Sequence, residues 1–291
     1  TRSKQLLEII HTDICGPFPT QTIEGNKYFI TFIDNYSRYC YIYLIPEKSK
    51  ALEVFKIYKT EVENQLEKKI KIVRSDRGGE YYGRYTQNGR HPGPFALYLQ
   101  DNGIVAQYTT PGTPEQNGVA ERRNRTLMDM VRSMICRVHL PKYLWGDAVK
   151  TANYLLNRVP SKAVENTPFE LWTGRRPSLN HLHVWGCKAE AKIYNPSSVK
   201  LDPKTTSCYF IGYAERSKGF RFYCSSNQGP KIVETQKAIF MEHNLDVDSG
   251  TNDNDFVFEE ERDTDTTIEH AKASYLETPT MASEISSCMH N

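Results

Sequence analysis

The sequence predicts an α/β domain with a mixed sheet and flanking helices, then a small β-barrel, then a disordered acidic tail. Three observations predict it. Over residues 1–165, short apolar runs of strand type alternate with long amphipathic helical stretches. From Val184 to His243 the runs become short, β-rich and regularly punctuated by turn residues. From Asn244 onward, 12 acidic side chains accompany two basic ones in a Ser- and Thr-rich stretch, a composition that cannot bury a core. The boundaries read as a domain over 1–165, a linker over 166–183, the barrel over 184–243 and the tail over 244–291.

The first strand is the run Leu6–Thr12, closed by Asp13. Tyr28–Asp34 and Tyr39–Ile45, joined by the polar Asn35–Arg38, read as a hairpin. Asp34 is an acid pointing inward, assigned to turn chemistry because Asn35 and Ser37 flank it. Apolar residues at Leu52, Val54, Phe55, Tyr58, Val62 and Leu66 make a helix over 49–67, and Ile70–Arg74 makes a strand closed by Asp76. Residues 82–94, rich in glycine, proline and polar side chains, read as a surface loop. Leu127, Met130, Val131, Met134, Ile135 and Val138 fall at helical spacing and leave Glu121 near the helix's beginning. Asn117-Gly118 delays that helix to about Val119, behind a loop over 111–118. A further amphipathic helix covers 141–158. In the barrel region, strands are expected at 191–194, 207–213, 219–224 and 231–234, and the tract His181–Cys187 is also read as a strand.

Two strands and a helix thus bring Asp13, Asp76 and Glu121 toward one point. Three carboxylates without paired cysteine or histidine suit a hard cation such as Mg²⁺, which takes oxygen ligands. Two such ions about 3.5–4 Å apart can activate an attacking oxygen and stabilise a leaving one at a phosphodiester. Residue chemistry alone leaves Glu80, Asp101 and Glu115 open as the third acid. Beyond Glu121, Arg122, Arg123, Arg125 and Arg132 form a basic cluster able to neutralise phosphates. Gln116 and Asn117 offer amides in the preceding loop, and Lys200, Lys204, Arg216, Lys218 and Arg221 offer cations in the barrel. The overall charge of +2 conceals the split, since residues 1–243 carry 35 basic against 23 acidic side chains. That is the balance of a nucleic-acid-binding body.

The motifs HTDICGPFP, YFITFIDNYSRYCYIYLI, RSDRGGEY and YTTPGTPEQNGVAERRNRTLMDMVRSMI resemble, in order, the integrase of copia-type long-terminal-repeat retrotransposons, over about residues 1–243. The resemblance implies a ribonuclease-H-like catalytic core and an SH3-like barrel. It selects Asp13, Asp76 and Glu121 as the catalytic and metal-binding triad, with Mg²⁺ as cofactor and Mn²⁺ as substitute. It implies 3′-end processing and strand transfer on double-stranded DNA, both element ends and target, by a homo-oligomer acting in the nucleus after passage through the cytoplasm. Gln116, Asn117, Arg122 and Arg125 are the expected DNA contacts. The 44 residues between Asp76 and Glu121 exceed the family's usual spacing, a surplus assigned to the loop over 82–94. The chain starts without methionine, so it is expected to be cut from mid-polyprotein, behind a zinc module and ahead of a reverse transcriptase, with no zinc site of its own. Seven scattered cysteines suggest reduced thiols, and no apolar run long enough for a membrane span is seen. The alternative function is an inactive or repurposed nucleic-acid-binding remnant.

Overall fold

The computed structural model describes residues 2–86, 89–110, 117–193, 199–201, 203–215, 217–226 and 229–242. The chain divides into two units, Thr1–Glu261 and Arg262–Asn291. The second unit and the acidic tail as a whole lie outside the described residues.

The elements of the first half are β1 (Ile9–Cys15), β2 (Tyr28–Asp34), β3 (Cys40–Ile45), α1 (Ala51–Leu66), β4 (Ile72–Ser75), α2 (Gly79–Tyr82), β5 (Arg84–Thr86), β6 (Gly89–His91), α3 (Pro94–Asp101), β7 (Val105–Tyr108), α4 (Gly118–Cys136) and α5 (Trp145–Arg158). β1, β2, β3, β4 and β7 form one mixed sheet in the order β3-β2-β1-β4-β7, with β1-β2 and β2-β3 antiparallel and β1-β4 and β4-β7 parallel. Strand alternation divides the side chains between two layers. Ile10, Ile14, Ile30, Phe32 and Val73 bury against Phe55, Tyr58 and Val62 of α1 and Phe95 and Leu99 of α3. On the other face, Phe29, Ile42 and Leu44 meet Leu127 and Val131 of α4 and Trp145, Ala148 and Val149 of α5. Asp34 is fully buried and structural, its carboxylate accepting from the Leu7 and Ser37 backbone amides and the Ser37 hydroxyl.

Several expectations are corrected. The segment 82–94 contains the antiparallel β5-β6 ribbon in place of a plain loop. α3 and β7 are elements that periodicity did not announce. The supposed linker over 166–183 carries α6 (Pro168–Thr173), whose Trp172 is buried and stacks on Tyr39 at 5.1 Å. It therefore packs on the core.

The remaining strands are β8 (Lys188–Ala191), β9 (Thr206–Tyr213), β10 (Phe220–Ser226), β11 (Gly229–Thr235) and β12 (Ala238–Met241), antiparallel in the order β11-β10-β9-β8-β12. Phe210, Phe222, Cys187 and Val233 fill this unit's interior, while Ile211 and Tyr223 point out onto α5. β8 lies three residues before its expected place, and His181–Cys187 is turn and extended chain without strand pairing. Its Gly186 needs φ +81°, and a Cβ there would meet Val138. The expectation of uniformly reduced thiols is corrected as well. Adjacent registers on β9 and β10 set Cys208 opposite Cys224, with Cα atoms 4.4 Å apart, and the two form a disulfide. No helix among the described residues is long and apolar enough to cross a membrane.

Candidate active site

The parallel register of β1 and β4 sets His11 beside Arg74. Two residues further, Asp13 and Asp76 stand at neighbouring positions on the α4 face. Asp13 does not end its strand as expected. β1 runs on to Cys15 because β2 keeps pairing with it through Asp13–Thr31, Ile14–Ile30 and Cys15–Phe29. β4 stops at Ser75, so the flank of Asp13 opens where its parallel neighbour ends. Asp76 Oδ1 accepts from the Gly78 amide at 3.1 Å, an Asx turn that leads the chain away.

Glu121 lies in the first turn of α4 and is half-buried. The helix starts at Gly118, one residue before its expected place. It is seated on β1 by a residue that sequence reasoning missed. Asn124, buried, donates from Nδ2 to Asp13 Oδ2 at 2.9 Å, and its Oδ1 accepts from the Thr31 hydroxyl at 3.1 Å. Its sequence signals were its position three residues after Glu121 and its place on the apolar stripe of α4.

Asp13 senses both other acids. Burial above all, then the charges of Asp76 and Glu121, push its pKa up from 3.8 to about 6, against the opposing hydrogen bonds from the Ile14 amide and Asn124. A carboxyl held in this state gains most from a nearby cation. The donor set of hard oxygens fits Mg²⁺ in kind. Among the described residues, however, no group of three His, Cys, Asp or Glu side chains is gathered closely enough to hold a metal ion. Two acids are adjacent, and the third acts on Asp13 from the helix.

The expected DNA contacts divide. Asn117 is buried, its Nδ2 donating to the Thr12 carbonyl at 3.2 Å, so it ties the start of α4 to β1 and presents no amide to a ligand. Gln116 lies outside the described residues. Arg125 is exposed and Arg122 half-buried. Arg123 is buried, donating to the Arg38 carbonyl at 2.9 Å, and Arg132 pairs with Asp129 at 2.6 Å, so the four guanidinium groups do not form one basic face. In the barrel, Arg221 is spent on Asp147 of α5 and Glu234. Lys200, Lys204 and Lys218 are exposed, and Arg216 lies outside the described residues. Of the competing acids, Glu80 pairs with Lys48, Asp101 ends α3, and Glu115 is not among the described residues.

A mixed five-stranded sheet in the order β3-β2-β1-β4-β7, with α4 and α5 packed on one face and α1 and α3 on the other, defines a protein of the ribonuclease-H-like class. Within that class, the chain carries an integrase core domain, matched over residues 4–114, followed by a retroviral polymerase SH3-like domain, matched over residues 187–254. It is 39% identical over 242 residues to the retrovirus-related Pol polyprotein from transposon TNT 1-94 of Nicotiana tabacum, covering 83% of this chain. It is 31% identical over 213 residues to that from transposon RE2 of Arabidopsis thaliana, covering 73% of this chain. The match spans 17% and 14% of the length of these two relatives. Among solved structures, a simian T-cell lymphotropic virus intasome in complex with PP2A regulatory subunit B56 gamma is similar at a TM-score of 0.46 and 14% identity, over 82% of this chain and 80% of that one.

Proposed function

We propose that the chain integrates retrotransposon DNA, using Asp13, Asp76 and Glu121 in 3′-end processing and strand transfer. The observation that carries this reading is the strand register that sets Asp13 beside Asp76, with Glu121 in the first turn of the helix hydrogen-bonded to Asp13. Asp13 and Asp76 would hold Mg²⁺, or Mn²⁺ in its place, with Glu121 completing the ligand set. When bound, the metal supplies neutralisation of charge at the reacting phosphate and activation of the attacking oxygen.

The chain's own residues then have defined tasks. Asn124 and the Ile14 amide fix the two oxygens of Asp13, and Arg125, exposed on α4, meets the DNA backbone. In processing, water attacks a phosphodiester near the element's end and the recessed 3′-OH is released. In transfer, that hydroxyl attacks a target phosphodiester, forming one P–O bond while the target strand leaves as its own 3′-OH. No covalent enzyme intermediate is needed. Joining two ends to one target calls for more than one copy of the chain. The chain would act in the nucleus as a piece of a larger polyprotein, with reverse transcriptase downstream and the acidic tail as spacer.

The test is a strand-transfer assay with labelled element-end duplex and plasmid target, comparing the native chain with Glu121→Gln. Joined product that disappears in the variant supports the reading. DNA binding without product from the native chain, with Mg²⁺ or Mn²⁺, would favour the binding remnant.

A further inference from the structure

The carboxylate row has a neighbour. One step toward the starts of the parallel strands, His11 of β1, Arg74 of β4 and Gln107 of β7 lie side by side in register. Val73, Ala106 and Tyr108 pack toward α1 and α3, so alternation turns Arg74 and Gln107 to the face that carries Asp13 and Asp76. Gln107 Oε1 accepts from both Arg74 Nε, at 3.2 Å, and Arg74 Nη2, at 2.8 Å. Two of five donors are used, and the plane of the guanidinium is set.

Among the described residues the charge has no ion-pair partner. Arg74 is half-buried on the face that carries Asp13 and Asp76. His11 beside it is buried and offers no negative charge. Keeping a cation partly desolvated without a counter-charge is costly. The cost is understandable where the missing anion belongs to a ligand.

We propose that Arg74, oriented by Gln107, grips a non-bridging oxygen of the DNA backbone beside the reacting phosphate. This rests on the DNA-joining reading above. Two residues along a strand is roughly 7 Å, so Arg74 would take a flanking phosphate and leave the reacting one to the carboxylate site. The competing account is that the Arg74–Gln107 bonds only brace β4 against β7, strands already paired through their backbones.

Fluorescence anisotropy with a labelled DNA duplex, with divalent cations chelated and salt varied, separates the two. Arg74→Gln is expected to bind several-fold more weakly and to lower the salt-dependence slope by about one. Gln107→Leu keeps the charge but loses its orientation, so it should weaken binding while leaving the slope unchanged. If the native chain binds and both variants match it in affinity and slope, with only the melting temperature lowered, the bracing account holds and the proposal fails. Should Arg74→Gln not fold, unchanged affinity in Gln107→Leu is enough to overturn it. If the native chain itself binds no DNA, the functional reading falls and takes this proposal with it.

Discussion

Replacing Asp13 with asparagine should stabilise the fold at neutral pH while ending the reaction. The folded pKa of Asp13, about 6, lies above the ordinary 3.8, so the fold prefers the protonated acid. The stability this contributes is complete below about pH 4 and is lost as the pH rises through 6. The displacement corresponds to roughly 3 kcal/mol at about 1.4 kcal/mol per pH unit. Asparagine removes the charge but accepts more weakly from the Ile14 amide. It also obliges Asn124 to turn its amide over, giving its Nδ2 to Thr31 and its Oδ1 to the new side chain. Discounting for this leaves a net gain of about 1–2 kcal/mol, or roughly 3–6 °C in a folded part of this size. Calorimetry without divalent cations at about pH 7.5 and again at about pH 4.5 reads the effect, which should be present at the first and absent at the second. Mg²⁺ added at the higher pH should raise the melting temperature of the native chain and leave the variant's unchanged. A variant that melts lower than the native chain at both pH values, or differs from it equally at both, would refute the reasoning.

Two other consequences concern how helices are seated. Asn124→Leu keeps the branched shape but removes a donor to Asp13, so the acid limb of the pH–rate profile should move up by about half a unit to one unit and the rate near pH 6 should fall about two- to fivefold. Profiles that superimpose after scaling would remove Asn124 from this role. Gly212, at φ +151°, lies where a Cβ would come within 2.6 Å of the Thr151 hydroxyl, which itself donates to the Ile211 carbonyl. Gly212→Ala should therefore cost about 2 kcal/mol or more in chemical denaturation, and an unchanged midpoint would show that β9 is not held closely against α5.

The sequence carried these features unequally. β1, β2, β3 and α1 were legible because long apolar runs and a sustained helical period impose one answer. β7 has four residues and β12 four, too few for a pattern, and each becomes a strand only through the neighbour it pairs with. β8 reads Lys-Ala-Glu-Ala, residues that favour helix, and pairing with β9 overrides that preference. α6 did carry its signals, since Thr167 caps the helix by accepting from the Glu170 amide, Pro168 opens it and Gly174 closes it in the left-handed region. Arg123 was misjudged by counting charge alone. The period through Ala120, Leu127 and Val131 already places residues 123 and 124 on the buried stripe of α4. Cys208 and Cys224 are 16 residues apart, and only the β9-β10 register pairs them.

The three acids are placed by forces of different kinds. Asp13 is held by the β1-β2 pairing, and Asp76 directly follows the stretch of β4 that pairs with β1, so side-chain substitutions nearby leave both in place. Glu121 has no such guarantee. Its position depends on side-chain anchors that hold α4 to the sheet, namely Asn117 on the Thr12 carbonyl, Asn124 on Asp13 and Thr31, and Arg123 on the Arg38 carbonyl. Each anchor reaches from α4 to β1, to β2 or to the turn after β2. The first two acids are thus a fixed base, and the seat of α4 is the adjustable part. A cation held by Asp13 and Asp76 would attract the third carboxylate, replacing the mutual repulsion that adds to burial in raising the Asp13 pKa.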